Sequence, residues 1–134
     1  KDLTTLLRAL LRKHNTVCIE TNGSKSVKKI SGGKNIIISL DVKCPSSGMQ
    51  HEMYLRNITF LSKKDQLKFI IKQKKDYEYA KHIITAYKPR CMIFLQPVWG
   101  INPRRLAQWI LHDHLSVRLG LQFHKVLWGE RKGV

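Results

Sequence analysis

Hydrophobic and polar positions along the chain follow two alternating patterns, helical stripes and short continuous apolar runs. Leu3, Leu6, Leu7, Leu10 and Leu11 recur at helical spacing with Lys and Arg between them, which predicts an amphipathic helix over residues 2–13. Residues 16–20 read as a short strand ending in Glu20-Thr21-Asn22-Gly23, where Asn-Gly signals a turn. The run Ile36-Ile37-Ile38-Ser39-Leu40-Asp41-Val42 organises the rest of the chain: it is a buried strand that delivers Asp41 and Lys43 to a loop punctuated by Pro45 and Gly48. Residues 51–61 are expected to form a short helix or an irregular crossing, and residues 66–71 another strand. Ala80, Ile83, Ile84 and Tyr87 share one face of a helix over residues 76–87, closed by Pro89. Cys91-Met92-Ile93-Phe94-Leu95 is a further buried strand, and Asn102-Pro103 opens a helix that runs to about His114 and buries Leu106, Trp109 and Ile110. Val117, Leu119, Leu121 and Phe123 then alternate with Arg118, Gly120 and Gln122, predicting a strand with one buried face. On that pattern Phe123 faces helices and His124 faces a cavity.

Strands separated by helices imply an α/β fold with parallel strands, right-handed crossovers and helices on one outer side, in a single domain over residues 1–134. Parallel strands end at one edge. Glu20-Thr21-Asn22-Gly23, Asp41-Val42-Lys43, Gln96-Pro97-Val98-Trp99-Gly100 and His124-Lys125 therefore converge where such sheets bind ligands, with Glu20, Lys43, Gln96 and His124 expected around one cleft.

Composition narrows the function classes. No run reaches the length of a membrane span and no signal-peptide pattern opens the chain, so a soluble intracellular protein is expected. With 25 Lys+Arg against 9 Asp+Glu the formal charge is +16, which favours anionic partners, but the basic residues are scattered and form no single stripe. Cys18, Cys44 and Cys91 lie too far apart for a zinc ribbon or any close-spaced cluster motif. Cys18 and Cys91 stand inside apolar runs and read as small buried hydrophobes, whereas Cys44 stands in the organising loop.

Glu20-Thr21-Asn22-Gly23, the block from Asp41 to Met49, Asp65-Gln66-Leu67-Lys68-Phe69-Ile70, Gln96-Pro97-Val98-Trp99-Gly100 and Gln122-Phe123-His124-Lys125-Val126-Leu127-Trp128-Gly129 resemble the carboxyl-terminal part of the 7-carboxy-7-deazaguanine synthase family, archaeal type. The resemblance covers nearly the whole chain in order. It implies a partial (β/α) barrel, the carboxyl-terminal half of a radical S-adenosylmethionine core. The implied reaction is ring contraction of 6-carboxy-5,6,7,8-tetrahydropterin to the 7-deazaguanine precursor of queuosine and archaeosine. Glu20 resembles the acid that receives the amino-pyrimidine edge of the pterin, and His124 a second substrate-side residue. Asp41 and Lys43 lie where bacterial members carry Ser-Pro-Lys against S-adenosylmethionine, with only the lysine matching. Gln96, Pro97, Val98 and Trp99 resemble the segment that contacts the nucleoside of that cofactor.

In the family the resemblance points to, a 4Fe–4S cluster is held by the three cysteines of CxxxCxxC and a Gly-Gly-Glu-Pro strand end helps hold the amino acid part of S-adenosylmethionine, and this chain contains neither motif. The sequence is accordingly expected to begin after those elements. The cluster and Mg²⁺ ligands would lie outside it, with no catalytic or metal-ligating residue assigned within it and the isolated piece inactive. The resemblance further implies a pterin as small-molecule partner, no direct nucleic-acid partner, no membrane, a cytoplasmic location and a homodimer. The residues by themselves leave two other readings open, a basic nucleic-acid-binding module with strongly salt-dependent affinity and a non-catalytic half-barrel.

Overall fold

Three consecutive isoleucines open β2 (Ile36–Val42) in the computed structural model, which describes residues 3–131; β-branched side chains suit a pleated, buried backbone. The elements follow in the order α1 (Leu3–Leu11), β1 (Val17–Thr21), β2, β3 (Gln66–Ile71), α2 (Lys74–Tyr87), β4 (Met92–Pro97), α3 (Pro103–His112), β5 (Arg118–Leu119) and α4 (Phe123–Trp128). Three 3₁₀ turns, Pro45–Ser47, Gln50–Glu52 and Leu55–Phe60, connect β2 to β3. The strands form one all-parallel sheet in the order β1-β2-β3-β4-β5, as the helix–strand alternation requires. This is an α/β fold, a five-stranded all-parallel sheet with flanking helices, consistent with a partial barrel.

Period-two alternation gives the sheet two different faces. Ile38, Leu40 and Val42 of β2, Leu67, Phe69 and Ile71 of β3, and Ile93 and Leu95 of β4 pack with Tyr77, Ala80 and Ile83 of α2 and with Leu106 and Ile110 of α3 in one core. Burying each large apolar side chain contributes about 1.5–3 kcal/mol, which fixes the strand phase. α2 and α3 are tied together where Tyr77 Oη donates to Asp113 Oδ2 at 2.9 Å and the Tyr77 and Trp109 rings meet with centroids 5.5 Å apart. Asn102 caps α3 as its sequence position implies, Oδ1 accepting from Arg104 N–H at 2.9 Å.

Two expectations are corrected, and the loop over residues 25–34 is anchored to the core. The alternation from Val117 to Phe123 predicts a strand of that length, but only Arg118–Leu119 pair with β4. Gly120 donates its N–H to the Leu95 carbonyl at 2.9 Å, and the Gln122 carbonyl then accepts from Lys125 and Val126 to begin α4. The basic loop over residues 25–34 carries more than solvent-facing charge, since Val27 is buried and the fully buried Asn57 holds the loop. Asn57 Oδ1 accepts from Val27 N–H at 2.9 Å, while Nδ2 donates to the Gly23 and Lys25 carbonyls at 3.0 and 2.8 Å. Gly23 fits this junction because its φ is +72° and a Cβ there would stand 2.7 Å from Leu40 Cδ1. Cys18 is exposed on β1 rather than buried, because β1 is an edge strand whose second face has no covering layer; Cys44 and Cys91 are buried.

Candidate active-site cleft

The strand residues that alternate with the core set point to the opposite face, and at the carboxyl ends of the strands they line a cleft of about 530 Å³. Glu20 comes from β1, Ser39 and Asp41 from β2, Lys68 and Ile70 from β3, and Gln96 from β4; Leu121 and Gln122 close the β5 side. A cavity of this size accommodates a bicyclic heterocycle or a nucleoside.

Charge in the cleft is arranged in two pairs. Lys68 Nζ lies 2.8 Å from Glu20 Oε1, and the hydrogen bond and charge of this ammonium hold the Glu20 carboxyl below the usual glutamate range. Lys43 Nζ lies 2.6 Å from Asp41 Oδ2. Between and beside these pairs, Ser39 Oγ, Asp41 Oδ1 and Gln122 Oε1 are buried without a hydrogen-bond partner among the described residues. Leaving such a group unpaired costs about 1–3 kcal/mol. Three of them around one cleft form a set of polar atoms that a ligand with matching hydroxyl or N–H groups would satisfy.

Of the residues singled out in the sequence, Glu20, Asp41 and Gln96 line this cleft together. Lys43 lines an adjoining groove of about 160 Å³ with Cys44, Ser46, Ser47, Lys72 and Val98, and reaches the cleft through its contact with Asp41. Pro97, Val98 and Trp99 line a groove of about 380 Å³ that shares Leu121 and Gln122 with the cleft and so continues it past the end of β4. His124 was expected to end a strand; it lies instead in α4, because the chain turns at Gly120 and coils from Gln122 onward. Its side chain lies outside the described residues. Ser39, Lys68 and Ile70 were not singled out for the site. Their signal was parity: in Gln66-Leu67-Lys68-Phe69-Ile70 the apolar Leu67 and Phe69 must face the core, which sends Lys68 to the other side.

The cysteines do not fit an iron–sulfur cluster. Cys18 lies within β1, Cys44 just after β2 and Cys91 just before β4, and burial pushes the Cys44 thiol up to about 12 and the Cys91 thiol up to about 11. A cluster needs deprotonated thiolates grouped around one iron site. Among the described residues no group of three or more His, Cys, Asp or Glu side chains is placed to hold a metal ion. Among the same residues no helix is long and apolar enough to cross a membrane.

The chain is 31% identical to the 7-carboxy-7-deazaguanine synthase of Thermoplasma acidophilum over 134 residues, all of this chain and 64% of the relative. It is 32% identical to the synthase of the same name from Koribacter versatilis, over all of this chain and 66% of the relative. It is 36% identical to the one from Clostridium acetobutylicum, over 85% of this chain and 54% of the relative. No family model and no solved structure matches the chain. Across the curated relatives it matches, the chain spans 50 to 66% of their length.

Proposed function

We propose that this homologue of the 7-carboxy-7-deazaguanine synthases is the carboxyl-terminal, ligand-facing part of such an enzyme. The complete protein would convert 6-carboxy-5,6,7,8-tetrahydropterin to 7-carboxy-7-deazaguanine as a radical S-adenosylmethionine carbon–nitrogen lyase. The observation that carries this reading is the cleft at the carboxyl ends of the parallel strands, with its unpartnered Ser39 Oγ, Asp41 Oδ1 and Gln122 Oε1. A carboxylate accepts through two oxygens, so Glu20 receives adjacent N–H donors of the amino-pyrimidine edge, with His124 on the same substrate side. Asp41 and Ser39 supply polar atoms for ribose hydroxyls, Lys43 fixes the Asp41 carboxylate, and Gln96, Pro97, Val98 and Trp99 form the wall for the nucleoside. S-adenosylmethionine, when bound, supplies the radical chemistry. The residues of this chain bind, orient and exclude water. Ligands for the 4Fe–4S cluster and Mg²⁺ come from other parts of the complete protein, since the cysteines here do not suit a cluster. The same reading carries a homodimer in the cytoplasm whose partner is the small pterin rather than nucleic acid.

The test uses the complete protein under anaerobic conditions. Wild type is expected to form the 7-deazaguanine product from the pterin and S-adenosylmethionine. Glu20→Gln is expected to weaken pterin binding by about 10- to 100-fold while S-adenosylmethionine binding stays within about twofold, because an amide presents N–H donors where the pterin also donates. Equal loss of both ligands would make Glu20 structural, and a wild-type protein that turns over neither compound would end the synthase reading.

A further inference from the structure

The Lys68–Glu20 pair crosses a whole strand. The register places Glu20 beside Ser39 and Asp41 beside Lys68, with β2 lying between β1 and β3. Neighbouring strands are about 4.8 Å apart, so Lys68 extends over β2 to reach an acid two strands away. In doing so it passes Asp41, the acid directly beside it, whose Oδ1 stays buried and unpartnered. Fold stability does not account for this choice, because the Glu20 side chain is 75% exposed and exposed ion pairs contribute little.

We propose that Lys68 is a positioning residue for ligand recognition: it pins one oxygen of the Glu20 carboxylate and leaves the other aimed into the cleft for a planar heterocycle edge with adjacent N–H donors. This rests on the assignment of Glu20 to the pterin edge. An unheld glutamate at this exposed position would sample several rotamers, each of which a ligand would have to select against. The contact of Lys68 Nζ with Glu20 Oε1 removes that freedom before the ligand arrives, and the ammonium charge favours the ionised carboxylate, which accepts through both oxygens. Lys68 reaches Glu20 from β3; Asp41 on β2 is neutralised by Lys43 at 2.6 Å; and Cys18 on β1 is the remaining titratable neighbour on that strand.

The experiment measures binding of 6-carboxypterin to the complete protein by fluorescence, from about pH 7 down to about pH 4, for wild type, Lys68→Met, Lys68→Arg and Glu20→Gln. Lys68→Met is expected to bind about tenfold more weakly at neutral pH, and its acid loss of binding to begin at higher pH than in wild type, near the ordinary glutamate range of about 4.3. Lys68→Arg, which keeps the charge and can donate to the same oxygen, is expected to restore both properties to within about threefold of wild type. A Lys68→Met profile that matches wild type, or a uniform loss at every pH with the acid limb unmoved, would overturn the role of Lys68 while Glu20→Gln still loses binding. Glu20→Gln binding as wild type does would instead remove the assignment of Glu20, and the role of Lys68 with it.

Discussion

Asp65→Ala is expected to lower the unfolding free energy by about 3–5 kcal/mol, a large share of the roughly 5–15 kcal/mol that holds a domain of this size folded. Asp65 is fully buried at the start of β3, and its carboxylate completes the sheet where the backbone ladder has not yet begun. The first paired residues of β2 and β3 are Ser39 and Gln66, so the N–H of Ile38 meets the Asp65 side chain instead of a strand carbonyl: Oδ1 accepts it at 2.8 Å. Oδ2 accepts the Ser62 N–H at 2.7 Å and the Ser62 hydroxyl at 2.8 Å. Alanine leaves the buried Ile38 N–H and the half-buried Ser62 N–H without their acceptor and a hole beside β2. Asparagine is expected to cost nearly as much, because its amide turns donors toward one of those same N–H groups. Urea unfolding of the two variants measures both losses, and a cost below about 1 kcal/mol would show that water replaces the carboxylate.

Asp76→Ala is expected to cost about 2–4 kcal/mol and to act at the opposite edge of the sheet. The buried Asp76 sits in the first turn of α2, where Oδ1 accepts the Ser46 N–H at 2.8 Å and Oδ2 accepts the N–H groups of Lys72 and Gln73 at 3.0 and 3.1 Å. It therefore fastens the loop after β2, which carries Lys43, to the start of α2. Amide exchange at Ser46 should accelerate in the variant along with the loss of global stability. Both carboxylates also set the acid limit of the fold. Burial opposes their ionisation, yet the hydrogen bonds from Ile38 and Ser62 to Asp65, and from Ser46, Lys72 and Gln73 to Asp76, outweigh it and lower both pKa values. A lowered folded pKa means that the unfolded chain binds protons more readily. The contribution is then fully present above the ordinary aspartate value of about 3.9 and disappears as pH falls below it through the folded values. Unfolding midpoints measured from about pH 6 to about pH 2 should show wild type losing stability steeply in that window and Asp65→Ala losing less.

The parallel sheet was legible because its strands are continuous apolar runs separated by helical stripes. Residues 36–42 and 66–71 coincide with β2 and β3, and the face that Glu20, Asp41 and Gln96 share followed from the strands ending at one edge. Period-two alternation failed as a guide after Val117, because alternation describes side-chain environment and not backbone pairing. Leu119 and Leu121 sit against the cleft side of the sheet, while the backbone leaves β4 after Gly120, whose N–H makes the last bond to it. The roles of Asn57, Asp65 and Asp76 were invisible in sequence for a different reason. Each serves backbone N–H groups, and which of those groups lack a partner becomes defined only once register and loop paths exist. Lys68 lay between the two cases: its side of the strand was readable, but its partner two strands away was not.

The order of strands in the sheet equals their order along the chain. A chain emerging from its amino end can therefore lay each new strand against the one formed just before it, with no earlier pair having to open to admit a later one. At every stage one fresh edge is available, and the strand that next satisfies it is the next one synthesised. Sequence-adjacent pairing keeps each closing loop short and the entropy of closure low. Of the two edges of this sheet, β1 and β5, the growing one, the usual point of attack for mispairing with other chains, moves forward with synthesis to β5, whose two paired residues offer little to a foreign strand.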